Sequence, residues 1–144
     1  MKRAFWVIAL LFVLMIFSSC STKLVAIDEC EWKMRTIMSN SEGASDFVIV
    51  VGKPDDVYPD AKIIELTLTA QNGELILKDT TNNKTYNGTY KIQRKTTQSI
   101  DYEITIDGMN GYAAIAHTKY YDGSETPTLP ISLGDYALYF IPNN

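Results

Sequence analysis

The sequence predicts an all-β domain, an antiparallel meander of eight or nine strands closing as a barrel behind an N-terminal signal helix. Three observations predict it. Beyond Trp32 no amphipathic helical stretch occurs, apolar and polar residues alternate with a period of two, and turn dipeptides interrupt that alternation at short intervals.

The first 19 residues fall into three zones: basic Lys2 and Arg3, an unbroken apolar run over 4–17, and the small residues Ser18 and Ser19 ahead of Cys20. This is the layout of a secretory signal. The run of 14 residues makes a helix of about 21 Å, shorter than the roughly 20 residues a bilayer span requires. Residues 1–19 are therefore assigned to the signal, 20–31 to an anchor and polar tether, and 32–144 to the β domain.

Each hairpin can be tested by its register, because a tight loop fixes which residues face one another and apolar side chains must meet apolar ones. Asn72-Gly73 as a two-residue loop sets Ala70 opposite Leu75, Leu68 opposite Leu77 and Leu66 opposite Asp79. Asn82-Asn83 as the next loop sets Leu77 opposite Gly88 and Leu75 opposite Tyr90. Gly134-Asp135, with glycine where a type II′ turn wants it, sets Leu133, Ile131 and Leu129 opposite Tyr136, Leu138 and Phe140. Ile100, Tyr102, Ile104 and Ile106 form the apolar face of a half-buried strand.

The strand that follows leaves two readings. A loop at Met109-Asn110 turns Ala113, Ile115 and His117 inward, and a loop one residue longer selects Tyr112, Ala114 and Ala116. In the first strand Trp32, Met34 and Met38 share the inner face, and Phe47 opens another short strand ending at Val51. Such a meander hides its edges by closing or by folding over as a sandwich, and closure is preferred. Pro127 and Pro130 cannot donate to a ladder and predict an opening near Pro130.

Phe17-Ser18-Ser19-Cys20 resembles the lipobox of bacterial lipoproteins, in which an apolar residue and two small ones precede the cysteine that receives diacylglycerol. The resemblance implies that Cys20 carries lipid and holds the domain on the extracytoplasmic face of a cell membrane. Ser21 in place of Asp after the anchor implies release to an outer membrane where the organism has one. With Cys20 used in this way, Cys30 has no partner for an intramolecular disulfide, and a small buried hydrophobe is its ordinary fate.

The domain itself resembles the lipocalin-like domains of small bacterial lipoproteins. The resemblance rests on Trp32 in the first strand, on Gly88-Thr89-Tyr90, on the repeated hairpins and on the closing Gly134-Asp135-Tyr136-Ala137-Leu138-Tyr139-Phe140, and it spans 32–141. It implies a barrel fold and carries no specific ligand.

Charge narrows the partners. The whole chain carries a formal −4, and the removal of Lys2 and Arg3 makes the remainder more acidic still. Phosphate backbones are then repelled, so nucleic acid is excluded as a partner. The membrane partner is reached through the lipid on Cys20 and not through protein charge.

The single histidine, His117, cannot supply a histidine cluster for a metal, and no nucleophile-elbow pattern surrounds any serine. A non-catalytic chain without cofactor or metal is expected. The loop over 52–60 gathers Asp55, Asp56 and Asp60 without the spaced oxygen ligands of a calcium loop, and reads as a solvated connection. Most of the nine tyrosines lie in the second half of the chain, where they supply apolar surface together with hydroxyls. Tyr90, Tyr102 and His117 are the candidate ligand-binding residues, and the expected partner is a small apolar ligand, a glycan or an envelope protein. The competing expectation is a structural or protein-interaction domain with a filled core and no small ligand.

Overall fold

A computed structural model describes residues 24–39 and 48–143. The signal, Cys20 and Phe47 lie outside the described residues, and among those described no helix is long and apolar enough to cross a membrane.

The described chain is all strand and turn. Its elements are β1 (Trp32–Ser39), β2 (Val48–Val51), β3 (Lys62–Ile63), β4 (Leu66–Gln71), β5 (Glu74–Asp79), β6 (Lys84–Lys95), β7 (Ser99–Ile106), β8 (Met109–Lys119), β9 (Glu125–Leu133) and β10 (Tyr136–Pro142). From β4 to β10 each strand pairs with the next, and β1 closes the ring by pairing with both β10 and β4. The result is a closed antiparallel barrel of eight strands with β2 and β3 added outside the ring, an architecture consistent with a lipocalin-like barrel.

Turn chemistry sets most of the register. Asn72 (φ 52°) and Gly73 (φ 85°) are both left-handed, the conformation of a type I′ turn. The facing pairs Ala70–Leu75, Leu68–Leu77 and Leu66–Asp79 follow as expected. Leu133, Ile131 and Leu129 likewise face Tyr136, Leu138 and Phe140.

The β5–β6 hairpin departs from expectation by two residues. Asp79 pairs with Lys84, which leaves a four-residue loop and sets Leu75 against Gly88 and Leu77 against Tyr86. The physical reason is Asp79, which is buried and whose carboxylate accepts from Asn82 N–H at 2.8 Å and from Asn82 Nδ2 at 2.7 Å. This local bonding closes the wider loop, and a shift of two leaves the inner face unchanged.

The β7–β8 turn is Asp107-Gly108, both left-handed, and not Met109-Asn110. Ala113 and Ile115 nevertheless point inward and are buried, while Tyr112 is exposed, so the first of the two readings of β8 holds for these residues.

Two expectations about the ring change. A bulge between Met34 and Thr36 reverses the facing of β1, so Ile37 packs against the core and Met38 turns outward beside Ala137. The barrel is also shut near Pro130, which pairs with Tyr139 of β10. The cost of the missing proline N–H falls on the β8–β9 ladder, which lapses between Ala113–Ile131 and Ala116–Thr128 and resumes in the same register. The weak seam lies instead between β1 and β4, which pair only at Trp32–Leu68 and Lys33–Thr67. Beyond those two pairs β2 takes the place of β4 beside β1.

The folded unit begins before Trp32. In the stretch assigned to the tether, Leu24, Val25, Ala26 and Cys30 pack against the core and Ile27 is fully buried within it. Ile27 N–H donates to Tyr102 Oη at 3.2 Å, and its carbonyl accepts from Trp32 Nε1 at 2.9 Å. Ile27 is thus a stopper in one end of the barrel, held by the two polar atoms that the buried rings of Trp32 and Tyr102 would otherwise leave unpaired.

Candidate binding site

The interior is filled along seven of the ring's eight strands, and on β6 the inward Tyr86, Gly88 and Tyr90 stay partly exposed. Trp32, Leu68, Leu75, Ile104, Ile115, Leu129 and Phe140, each from a different strand of the ring, are 0–1% exposed. A side chain with essentially no surface open to a water-sized sphere borders no void that water could enter, so these seven meet side chain against side chain. The small inner residue Gly88 does not open a cavity either. A Cβ placed there would lie 2.1 Å from the carbonyl oxygen of Thr105, so β6 and β7 approach too closely for any side chain.

The structure brings Tyr90 and Tyr102 together and uses their hydroxyls on the stopper. Their ring centroids are 5.9 Å apart at an interplanar angle of 68°, an edge-to-face contact. Tyr102 Oη accepts from Ile27 and Tyr90 Oη donates to Asp28 at 3.2 Å. His117 continues the inward row of Ala113 and Ile115 and faces Pro127. Both of its ring nitrogens are buried, and neither has a hydrogen-bond partner among the described residues, so it joins no cluster with the two tyrosines.

Burial pushes the Tyr102 hydroxyl above its ordinary value of 10.0; the Ile27 N–H pulls partly the other way, and Asp28 adds to the rise. Tyr90 shifts in the same direction with burial as the main cause. A phenol raised in this way is neutral in the fold and ionises more readily once unfolded, so the fold keeps its full stability below the ordinary phenol range and loses it as pH climbs through the raised values. Thermal unfolding is expected to be level with respect to these two groups from neutral pH to about 9 and to fall above about 10. Tyr102→Phe should flatten that decline; an unchanged alkaline profile would contradict the assignment.

Burial, with the Glu29 carboxylate adding, also raises the Cys30 thiol, so this half-buried cysteine is a poor thiolate.

Open volume lies under the loop over 52–60, along the outer wall and into the β1–β4 seam, where it reaches the core side chains of Met34 and Leu66. That loop is turned by its own bonds: Val57 N–H donates to Asp55 Oδ1 at 2.8 Å, Tyr58 N–H to the Asp55 carbonyl and Ala61 N–H to the Tyr58 carbonyl. Among the described residues no three His, Cys, Asp or Glu side chains gather as a metal site.

Between the loop and the wall runs a groove with two lobes that share Arg35, Asp55, Val57 and Ile141. The first, about 710 Å³, occupies the β1–β4 seam and is edged by charge at Lys33, Lys53, Asp56 and Glu65. The second, about 630 Å³, runs over β1, β10, β9 and β8 and is lined by Tyr58, Tyr120, Tyr139, Pro130, Thr118 and Thr128 among others. Arg35 Nη1 reaches across it to Tyr120 Oη at 3.3 Å.

Three of the four strands under the second lobe, β8, β9 and β10, carry no Asp, Glu, Lys or Arg at the outward positions that follow. Outward positions are Tyr112, Ala114, Ala116 and Thr118 on β8, Thr126, Thr128, Pro130 and Ser132 on β9, and Ala137, Tyr139 and Ile141 on β10. The opposite wall carries Glu74 and Lys78 on β5, Lys91 on β6, and Asp101 and Glu103 on β7. Sequence reasoning missed this contrast because it looked for a site on the inner face. The signal was available in the uncharged alternate positions of the last three strands.

Comparisons with protein-family models, with curated proteins and with solved structures find no match.

Proposed function

We propose that this chain is a lipid-anchored, non-catalytic binding module of the lipocalin-like kind, held by Cys20 on the extracytoplasmic face of a membrane. Its partner sits on the outer wall of the barrel and not inside it. A glycan chain is the ligand whose chemistry fits the groove best. The observation that carries this reading is the second lobe, lined by Tyr58, Tyr120 and Tyr139 together with one cation, Arg35, and one carboxylate, Asp55. Sugar rings present apolar C–H faces that stack on tyrosine and hydroxyls that pair with guanidinium, carboxylate and threonine, and an open groove admits a chain that a closed barrel would exclude.

Titration of the protein with neutral oligosaccharides, followed by tyrosine fluorescence, tests the proposal. Saturable binding is expected, weakened about tenfold or more by Tyr139→Ala, a change worth roughly 1.4 kcal/mol. Thermal stability should stay near that of the parent, because Tyr139 points outward and is 39% exposed. Absence of saturable binding at millimolar sugar would overturn the glycan reading. The filled interior favours a second reading, in which the same wall packs against an envelope protein. Photo-crosslinking from Thr118 in whole cells would then give one discrete product.

A further inference from the structure

We infer that the stopper fixes how the barrel stands on its membrane: the end bearing the β6–β7 hairpin and the β8–β9 loop rests on the bilayer surface, with the opposite end outward. The inference rests on Cys20 being the lipid anchor. Leu24 packs against the core beside the stopper, and only four residue steps separate it from Cys20. An extended chain covers at most about 3.3–3.6 Å per residue, so the lipid-bearing residue lies within about 14 Å of that barrel end. The turns Asp107-Gly108 and Gly134-Asp135 close the other end, and β7, eight residues long and tilted as barrel strands are, separates the two ends by roughly 18 Å.

What surrounds Leu24 suits a lipid surface. β6 runs past the end of β5: Tyr90 N–H donates to the Gly73 carbonyl at the β4–β5 turn, and the strand continues to Lys95. These five further residues reach roughly 16 Å beyond β5 with β7 as their partner. The β6 side of this hairpin exposes Ile92 (51%) between Lys91 and Arg94, while its β7 side keeps Ile100 and Tyr102 buried in the core, and the neighbouring loop holds out a fully exposed Tyr121. Exposed aliphatic and tyrosine side chains flanked by long cationic ones are the residues that settle at a bilayer interface. The hairpin's charge is balanced but for Lys95, with Lys91 facing Glu103 and Arg94 Nη2 2.7 Å from Asp101 Oδ2. The contact is therefore interfacial and independent of anionic lipid.

The test uses residues 20–144 with Cys30→Ser, coupled through Cys20 to a maleimide lipid in phosphatidylcholine vesicles containing brominated chains. Thr97→Trp places a reporter at the hairpin tip and Asp135→Trp one at the far end, while Trp32, fully buried, supplies a constant background. Quenching of the Thr97→Trp signal at least twofold stronger than that of Asp135→Trp is expected, unchanged when anionic lipid is added. Equal quenching, the reverse order, or no quenching of Thr97→Trp on vesicles that carry the protein would overturn the orientation. Mass spectrometry of the N-terminal peptide from cell membranes is the separate arm. A Cys20 peptide without diacylglycerol would overturn the anchor and the proposal with it, whereas an unquenched tip on an anchored chain overturns the orientation alone.

Discussion

A chain that begins at Glu31 instead of Leu24 is expected to lose on the order of 5 kcal/mol of folding stability, enough to unfold much of a typical domain of this size. The cut removes the side chain of Ile27, fully buried, whose burial is worth about 1.5–3 kcal/mol. It also strips Trp32 Nε1 of its acceptor and takes away the N–H that Tyr102 Oη receives. A buried donor left without a partner costs a further 1–3 kcal/mol or so. Urea unfolding of the two chains reads the difference. Ile27→Ala in the longer chain, a loss of about 2–5 kcal/mol, separates the apolar part from the hydrogen bonds. A chain from Glu31 that unfolds within about 1 kcal/mol of the longer one would show the stopper to be an ornament of the barrel and not part of its core.

The stopper marks where the sequence stops being legible. Residues 24–31 have no period and read as tether, because the apolar run Leu24-Val25-Ala26-Ile27 is too short to show one and the partners of Ile27 lie 5 and 75 positions away. Nothing local announces such contacts. The strands of the ring are the opposite case: alternation gave the inner face of β7 and narrowed β8 to two readings, and asparagine–glycine and glycine–aspartate gave two hairpin registers, since a left-handed turn residue is a local demand that composition reveals. Asp107-Gly108 carried the same signal one position past a strand whose end was already fixed at Ile106. The β5–β6 loop was misread because the side chain of Asp79 competes with the turn residues for control of the chain. Met38 was misassigned because a bulge inverts the facing downstream of it, and a bulge is set by the partner strand. The surroundings of the candidate residues were hidden for a related reason. Tyr90 and Tyr102 do face inward as the alternation requires, but their hydroxyls meet the chain's own N-terminal segment, while the uncharged wall arises only when β8, β9 and β10 are laid side by side.

Gly88→Ala is expected to be a severely damaging single methyl on the inner face of the barrel, at about 3 kcal/mol or more. On the inner face between Leu75 and Ile106, a small residue has two opposite meanings. If Gly88 left room for a ligand, one added carbon would fill part of that room and stabilise the empty protein. In the structure the added carbon would sit 2.1 Å from the Thr105 carbonyl oxygen and 3.1 Å from Ile106 Cα, both backbone atoms. No rotamer can relieve this, so β7 itself would have to move, and β7 holds Ile104 and Ile106 at 1–2% exposure in the core. Gly73→Ala provides the comparison: its φ of 85° strains any side chain, but the nearest atom to the new carbon is 3.8 Å away. That substitution should cost only the left-handed penalty of about 1–2 kcal/mol. Thermal and urea unfolding of the two variants rank them directly. Loss at Gly88 well beyond that at Gly73 is the result a filled barrel requires, and a Gly88→Ala protein as stable as its parent, or more so, would return the ligand to the interior and remove the reason for seeking it on the outer wall.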